Sequence, residues 1–333
     1  MNVLQPKFKV IYEGKDITED LSRALIMVTY TDHVTGEADE IEIKLDDTDA
    51  LWRSSWYPKK GDQIKLEIGT GPVLDCGVFE VDELELSGPP DLVTIHGIGA
   101  GVTKAVRTKK SVAYENQTVT QIVQTVADRN SLSVVMPDKF DITLPRVTQN
   151  KETDLSFLNR LGASYGAAFS LRGTTVTFVK RATLEAANAI KTITRQDLTK
   201  YGFKDKTFET YAKAKLGFHD PGEAEVIETD VDGGEIESED TLLVDDSAYS
   251  QVDAEAKSEA ALDNKNKKET EARITVEGDP SLVSGLNFDL TGMGELSGTY
   301  HIEASGHKID RNGGYTTDLE LKRVAKFTDP SKK

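Results

Sequence analysis

From Glu40 to Leu45 every second side chain is apolar: Ile41, Ile43 and Leu45 point one way and Glu40, Glu42 and Lys44 the other. A period of two places the apolar set on one face of a strand and the charged set in water, which no helix can do. The pattern recurs. Lys7–Tyr12, Ala24–Tyr30, Ile64/Leu66/Ile68, Val73–Leu86 and Leu92–Ile98 read as further strands. Between them stand turn signals: Glu13-Gly14-Lys15-Asp16, Lys60-Gly61-Asp62 and Gly88-Pro89-Pro90-Asp91. Short alternating strands with closely spaced turns predict a small barrel or sandwich, placed at residues 1–105.

The pattern then changes. Ser111–Asn116 is polar and reads as irregular, but Thr118 and Gln121 form a capping box ahead of Val119, Ile122, Val123 and Val126. In such a box the threonine hydroxyl and the glutamine side chain each satisfy a free N–H at the helix start. The helix should run to about Arg129 and be followed by an extended Leu132–Met136. A second helix is marked within Gln149–Gly166. Thr153 can cap it and Asp154 suits the positive end of its dipole. Leu155, Leu158 and Leu161 share a face with Phe157 beside it, and Gly166 suits a left-handed exit. With the strands Ala167–Leu171 and Thr175–Val179 this makes an α/β unit over 106–180. Strands return at Ile190–Ile193, Phe208–Leu216 and Arg273–Val276, and as a hairpin, Tyr300–Ile309 with Tyr315–Val324. Before that hairpin lie an acidic loop, 218–246, and a helix, 248–270, with small residues at Ala248, Val252, Ala256 and Ala260. The expected organisation is mainly β with an inserted α/β unit: 1–105, 106–180, 181–326, and a polar tail at 327–333.

Length and charge narrow the function. A chain of 333 residues is long for one core and predicts two or three domains. The net charge of −17 disfavours nucleic acid as a partner, because phosphates are bound by Lys and Arg. Residues 217–270 hold 17 acidic and 4 basic side chains, so most of the excess sits in one window. No apolar run reaches the roughly 18 residues of a membrane span, and the N-terminus has no secretory-signal pattern. Cys76, the lone cysteine, excludes an internal disulfide and reads as a buried inert thiol between Leu74 and Val78. His33, His96, His219, His301 and His307 show no metal-ligand spacing; His301 and His307 could share a strand face but read as structural. Asp230-Val231-Asp232-Gly233-Gly234-Glu235 starts like a calcium loop but has Thr241 where the closing glutamate belongs. No nucleophile elbow, phosphate loop or dinucleotide fingerprint occurs. No catalytic, cofactor-binding or metal-ligating residue is therefore assigned; that the chain is not an enzyme is an expectation that comes from the family resemblance that follows.

Two stretches resemble a known family. The order Gln149, Glu152-Thr153-Asp154-Leu155, Phe157-Leu158, Arg160-Leu161, Gly166 resembles the Q-x-x-E-S-D-L-x-F-L-x-R-L-x-x-x-x-G pattern of the late control protein D family of contractile-tailed phages. The pattern also occurs in the N-terminal part of the valine-glycine repeat spike proteins of type VI secretion. The second stretch is Gly278-Asp279-Pro280, Gly285, Gly298-x-Tyr300-x-Ile302, His307 and Gly314-Tyr315-Thr316-Thr317-x-Leu319-x-Leu321-x-Arg323, similar to the closing barrel of that family. Glu115-Asn116-Gln117-Thr118, Asp46–Trp52 and Lys60-Gly61-Asp62 add to the likeness.

The resemblance implies two similar β-barrels flanking the α/β insertion. It further implies a homotrimer whose six barrels match a six-fold tail tube on one side and a trimeric spike on the other. Its partners would be the tail tube protein, a spike expected as a separate chain because no long repeat follows, other baseplate proteins and the tape measure protein. Its place would be the baseplate of a phage or phage-like particle assembled in the bacterial cytoplasm. A rival reading is a peptidoglycan-binding or peptidoglycan-cleaving tail protein, from a faint likeness of Thr118–Val134 to a LysM unit.

Overall fold

The computed structural model describes residues 6–36, 38–100, 104–206, 209–220, 225–233, 238–267, 269–312 and 314–326. Most of its strands join one thirteen-stranded sheet. Its path starts at the strand Leu198–Asp205 and passes through Thr270–Glu277, Gly314–Lys326 and Gly298–Asp310. It then crosses to Leu25–His33 and continues through Glu40–Asp46, Leu92–Gly99, Val73–Ser87 and Gln63–Gly69 to Lys7–Tyr12 and Lys15–Asp16. All these neighbours are antiparallel. The alternation seen in sequence sets the faces: Ile41, Ile43 and Leu45 are buried, with Val10, Val28, Ile64, Leu66, Phe79 and Ile95, in a core wrapped by the N-terminal strands. A second core of Ile274, Phe288, Tyr300, Ile302, Leu319 and Leu321 lies within the C-terminal strands.

The two halves share a seam. Residues 304–310 of Gly298–Asp310 pair with 27–33 of Leu25–His33, so His307 lies opposite Tyr30 and Ser305 opposite Asp32. The earlier part of the same strand pairs with Asn287–Thr291, and nearly all of it pairs with Gly314–Lys326. The hydrogen-bonded path therefore runs through both halves without a break. Ile309 and Tyr315, from the C-terminal hairpin, complete the N-terminal core. Gly278 belongs to this packing: a Cβ there would lie 2.0 Å from the Tyr315 ring, while its N–H donates to the Tyr315 carbonyl at 2.9 Å. That contact gives a physical reason for a glycine ahead of Asp279-Pro280.

The middle of the chain forms its own core, with Tyr114, Ile122, Val126, Leu144, Phe157, Leu158, Leu161, Phe169 and Phe178 buried. The helix Val119–Arg129 begins with the expected box: Thr118 Oγ1 accepts from Gln121 N at 3.2 Å and Gln121 Oε1 from Thr118 N at 2.9 Å. The helix Asp154–Ser164 is capped by Thr153, whose hydroxyl accepts from Ser156 N at 3.1 Å. Gly166 takes a φ of +63° just beyond it. Ala167–Arg172 and Thr175–Lys180 form a hairpin flanked by Ser133–Val135.

Several elements depart from the sequence reading. Ser111–Asn116 is not irregular: it lies in the strand Lys110–Thr118, paired with Thr143–Glu152. Tyr114 is the one fully buried side chain on that strand, so no apolar alternation betrays it. The helix Thr18–Ala24 escapes notice for the same reason, burying only Leu21. Leu198–Asp205 is an edge strand with nearly every side chain in water. The acidic stretch 218–246 is not a plain loop: short strands occupy Gly217–Asp220, Glu225–Glu228, Val231–Asp232 and Thr241–Leu243. The following helix spans Gln251–Asn266, capped by Ser250, and its buried face carries Asp253, Ala254, Lys257, Ser258, Ala260 and Leu262. Val252, expected on that face, is 62% exposed.

Leu158 is 2% exposed at the centre of the middle core. Leu158→Ala should cost about 2–5 kcal/mol in urea unfolding. Leu158→Asp should leave no soluble folded protein, because an unpaired charge would be buried there; a well-folded Leu158→Asp protein would show that the core lies elsewhere.

Candidate interaction surface and the buried ionic junctions

The described residues place the strongest polar chemistry in three buried junctions rather than in a reactive cleft. The first is built by the Gln149–Gly166 stretch. Asp154 is 1% exposed and accepts from Lys110 Nζ, Arg129, Gln149 Nε2 (2.8 Å) and Asn130 Nδ2 (2.8 Å). Gln149 in turn accepts from Arg129 at 2.8 Å and donates to the Glu152 carbonyl at 3.1 Å. Outside this cluster Arg160 bridges Glu152 at 2.6 Å and the Thr148 carbonyl at 3.1 Å. The polar letters of the motif thus tie two strands and two helices at one point. Burial pushes the Asp154 carboxyl up, but the bonds from Lys110, Gln149, Asn130 and Arg129 outweigh it and hold the group below the usual range. Asp154 does more than complement a helix dipole, which is all that its sequence position indicates.

The second junction is at the seam. Asp32 is fully buried and accepts from Ser284 N and Ser284 Oγ, both at 2.8 Å, and from Arg172. Arg172 also reaches Asp39 at 3.2 Å and Ser284 Oγ at 3.1 Å. One guanidinium therefore joins the N-terminal strands, the middle hairpin and the C-terminal part. The third junction repeats this on the other side. Lys322 pairs with Glu185 and Asp263, each at 2.9 Å, and Arg181 pairs with Glu303 at 3.4 Å. Asn287 Nδ2 donates to the carbonyls of Leu184, Glu185 and Ala187, while its oxygen bonds His301 Nδ1 at 2.7 Å.

His301 and His307 sit on one strand but do not form a shared site. Six residues of strand separate them by about 20 Å, and two register shifts lie nearer the start of that strand. His307 instead bonds Tyr315 Oη through Nδ1 at 2.8 Å and stacks on Tyr30. Burial lowers both imidazoles to about 4. Cys76 is 7% exposed, and burial raises its thiol far above the nucleophilic range. Among the described residues no group of three or more His, Cys, Asp or Glu gathers as metal ligands. Asp230 faces Lys213 at 3.8 Å and Thr241 lies in a strand, whereas residues 234–237 of the calcium-like stretch fall outside the described residues. No described helix is long and apolar enough to cross a membrane.

What faces water is broad and partly apolar. Trp56 and Tyr57 are 43% and 46% exposed and stand at the mouth of a cavity of about 320 Å3 that reaches Val10, Ile43 and Ile64. Both tryptophans are there, Trp56 edge-on to Trp52 with centroids 5.4 Å apart. Leu243 and Val252 are exposed beside the acidic strands. Sequence places these residues on strands or helices but does not separate surface from core.

Known proteins share this architecture. The chain is 32% identical over 207 residues to the probable baseplate hub protein of Escherichia phage 186, a match covering 60% of this chain and 52% of that protein. The probable baseplate hub protein of Escherichia phage P2 matches at 32% over 209 residues, 61% of this chain and 53% of the other. The chain resembles phage baseplate hub proteins. The likeness read from Gln149–Gly166 and the closing hairpin is borne out, and the chain spans about half the length of the curated relatives it matches. No protein-family model matches. In fold, the 43 kDa tail protein of prophage MuSo2 from Shewanella oneidensis superposes with a TM-score of 0.70 at 16% identity, covering 96% of this chain and 97% of that one. The E. coli c3393 protein, a type VI secretion component, superposes at 0.58 with 12% identity, covering 92% and 76%.

Two outcomes follow for stability. Asp154→Ala should cost about 3–5 kcal/mol in urea unfolding, because it strips a buried ion cluster of its only carboxylate; the lower figure is favoured, since Lys110 and Arg129 keep about a quarter of their side chains in water. A cost under about 1 kcal/mol would refute the cluster. For pH, His301 and His307 titrate near 6.5 unfolded and near 4 folded, so the stability they allow is complete above 6.5 and is lost as pH falls toward 4. Asp39 acts oppositely between 3.8 and about 6. Glu185, whose carboxyl burial also raises, acts with Asp39, while Asp154 and Asp279, held low by their bonds, act with the imidazoles; the urea midpoint should therefore be lower at pH 4.5 than at pH 7, and a higher midpoint at pH 4.5 would contradict the buried neutral state.

Proposed function

We propose that the chain is a structural hub protein in the baseplate of a contractile phage tail or phage-like injection particle. The observation that carries this is the 32% identity to two probable baseplate hub proteins, joined to a fold that matches a phage tail protein over 96% of the chain. The mainly β architecture supports it, as do charged groups engaged in holding segments together rather than gathered around a cleft. An architectural protein acts through broad surfaces, and the chemistry described above is of that kind.

In this reading the two lobes of the sheet, 1–105 and 181–326, act as similar barrel-like units with 106–180 between them. Three copies would present six such units to a six-fold tail tube and a true three-fold to a separate spike chain. Other baseplate proteins and the tape measure protein complete the partners, and assembly takes place in the bacterial cytoplasm. The protein does no chemistry of its own. The acidic segment around 218–246 would line the channel or face solvent, where negative charge repels passing DNA. Among the described residues nothing favours a peptidoglycan-binding role.

Mass by light scattering tests the proposal. The expected result is a trimer, or a monomer that becomes trimeric when its tube and spike neighbours are added. A chain that stays monomeric or dimeric in both conditions would overturn it.

A further inference from the structure

The two lobes of the sheet repeat one strand order. The N-terminal lobe runs Leu25–His33, Glu40–Asp46, Leu92–Gly99, Val73–Ser87, Gln63–Gly69. The C-terminal lobe runs Leu198–Asp205, Thr270–Glu277, Gly314–Lys326, Gly298–Asp310, Asn287–Thr291. The irregularities repeat too. The first strand of each set skips one residue in its pairing, at Leu25/Met27 and at Leu198/Lys200. The fourth skips one at Val81/Glu83 and at Ile302/Ala304. Gly61 N donates to the Val81 carbonyl at 2.7 Å and Gly285 N to the Ile302 carbonyl at 2.9 Å, and both glycines have a positive φ. By these landmarks Val28, Tyr30 and Thr31 correspond to Tyr201, Phe203 and Lys204, while Gly306 and His307 correspond to Glu85 and Leu86.

The seam uses one strand from each set, and the counterparts of both are open. Inside the chain, residues 304–310 of the fourth C-terminal strand pair with 27–33 of the first N-terminal strand. Their counterparts are the end of Val73–Ser87, from residue 83 on, and Leu198–Asp205. Among the described residues, 83–87 pair only with Leu92–Gly99, and Leu198–Asp205 pairs only with Thr270–Glu277. Each therefore presents one unpaired edge. The side chains agree with this. Leu86 and Tyr201 are each 49% exposed, whereas their counterparts His307 and Val28, which the seam covers, are fully buried.

We infer that copies of the chain join by repeating the seam, residues 83–87 of one copy adding as an antiparallel strand to Leu198–Asp205 of the next. The inference rests on the trimeric reading above and names the contact that would build it. The register of the seam puts Glu83 opposite Lys206, Glu85 opposite Lys204, Leu86 opposite Phe203 and Ser87 opposite Gly202 of the neighbouring copy. Opposite charges directly across two strands stabilise their pairing, and this register supplies two such pairs. Lys206 is held within its own copy only by Glu209 at 3.7 Å. Leu86 would lie against Phe203, which is only partly buried in its own core. The two edges differ in sequence and in sign of charge, so the contact is head-to-tail, the kind that builds rings when the rotation closes.

Disulfide trapping tests the contact on the full-length protein, under the conditions in which light scattering shows a trimer, alone or with its tube and spike neighbours. Opposite residues of antiparallel strands lie about 4.5–5.5 Å apart at Cα, within reach of a disulfide. Co-expressed Glu85→Cys and Lys204→Cys chains should give a covalent dimer on mild oxidation, and neither variant alone should. Glu85→Cys with Lys200→Cys, out of register by four residues, should not cross-link. Glu85→Lys should weaken the trimer several-fold, and adding Lys204→Glu to the same chain should restore it. A trimer in which the 85–204 cross-link fails, or forms no better than 85–200, overturns this contact and leaves the trimeric reading standing. A chain that stays monomeric or dimeric even with its neighbours overturns that reading and this contact with it.

Discussion

One strand, Gly298–Asp310, holds the molecule together because it is paired along most of both sides. It is thirteen residues long. One end pairs with Asn287–Thr291 and the other with Leu25–His33, while Gly314–Lys326 runs along the opposite side. Backbone hydrogen bonds are obligatory for buried strands, so separating the lobes would strip a seven-residue ladder of its partners. The apolar packing follows the same line, since Ile309 and Tyr315 cross the seam into the N-terminal core. Charge fastens further segments to this strand and its neighbours: Arg172 on Asp32 ties the middle hairpin, and Arg181 on Glu303 with Lys322 on Glu185 tie the short helix Arg181–Glu185 that follows it.

The buried ionic groups explain which letters of the sequence matter. Leu158 and Phe157 could be exchanged for other apolar residues of similar volume at modest cost. Asp154 could not, because four donors from three other segments converge on its two oxygens. A buried ion cluster adds little net stability over an apolar replacement, yet removing one member is severe. That asymmetry accounts for a motif whose polar positions are as recognisable as its apolar ones.

How much of this could be read from the sequence depended on which faces were buried. Glu40–Leu45 and Tyr315–Leu321 have one dry face and one wet face, and their alternation showed it. The capping groups of Thr118 and Thr153 are local, so their helices were visible too. Lys110–Thr118 and Leu198–Asp205 bury almost nothing, which left no periodicity to detect. The ionic junctions lay beyond reach for a different reason. Asp32 and Ser284 are 252 positions apart, and no spacing rule connects residues that meet only after the sheet has closed on its seam. The exposed Trp56 and Tyr57 were equally hidden, because an apolar letter on a strand or turn reads as core until its neighbours are known.

The edge strand Leu198–Asp205 carries a consequence for the life of the protein before it meets any partner. An open edge is a template on which stray chains can add. Here the edge displays Lys200 and Lys204 to solvent and a glycine at its centre, Gly202. Two like charges along so short an edge oppose the approach of an identical edge from another copy, while a glycine weakens the regular stacking that a fibril would need. The last strand of a large antiparallel sheet thus carries its own resistance to the addition of an identical strand.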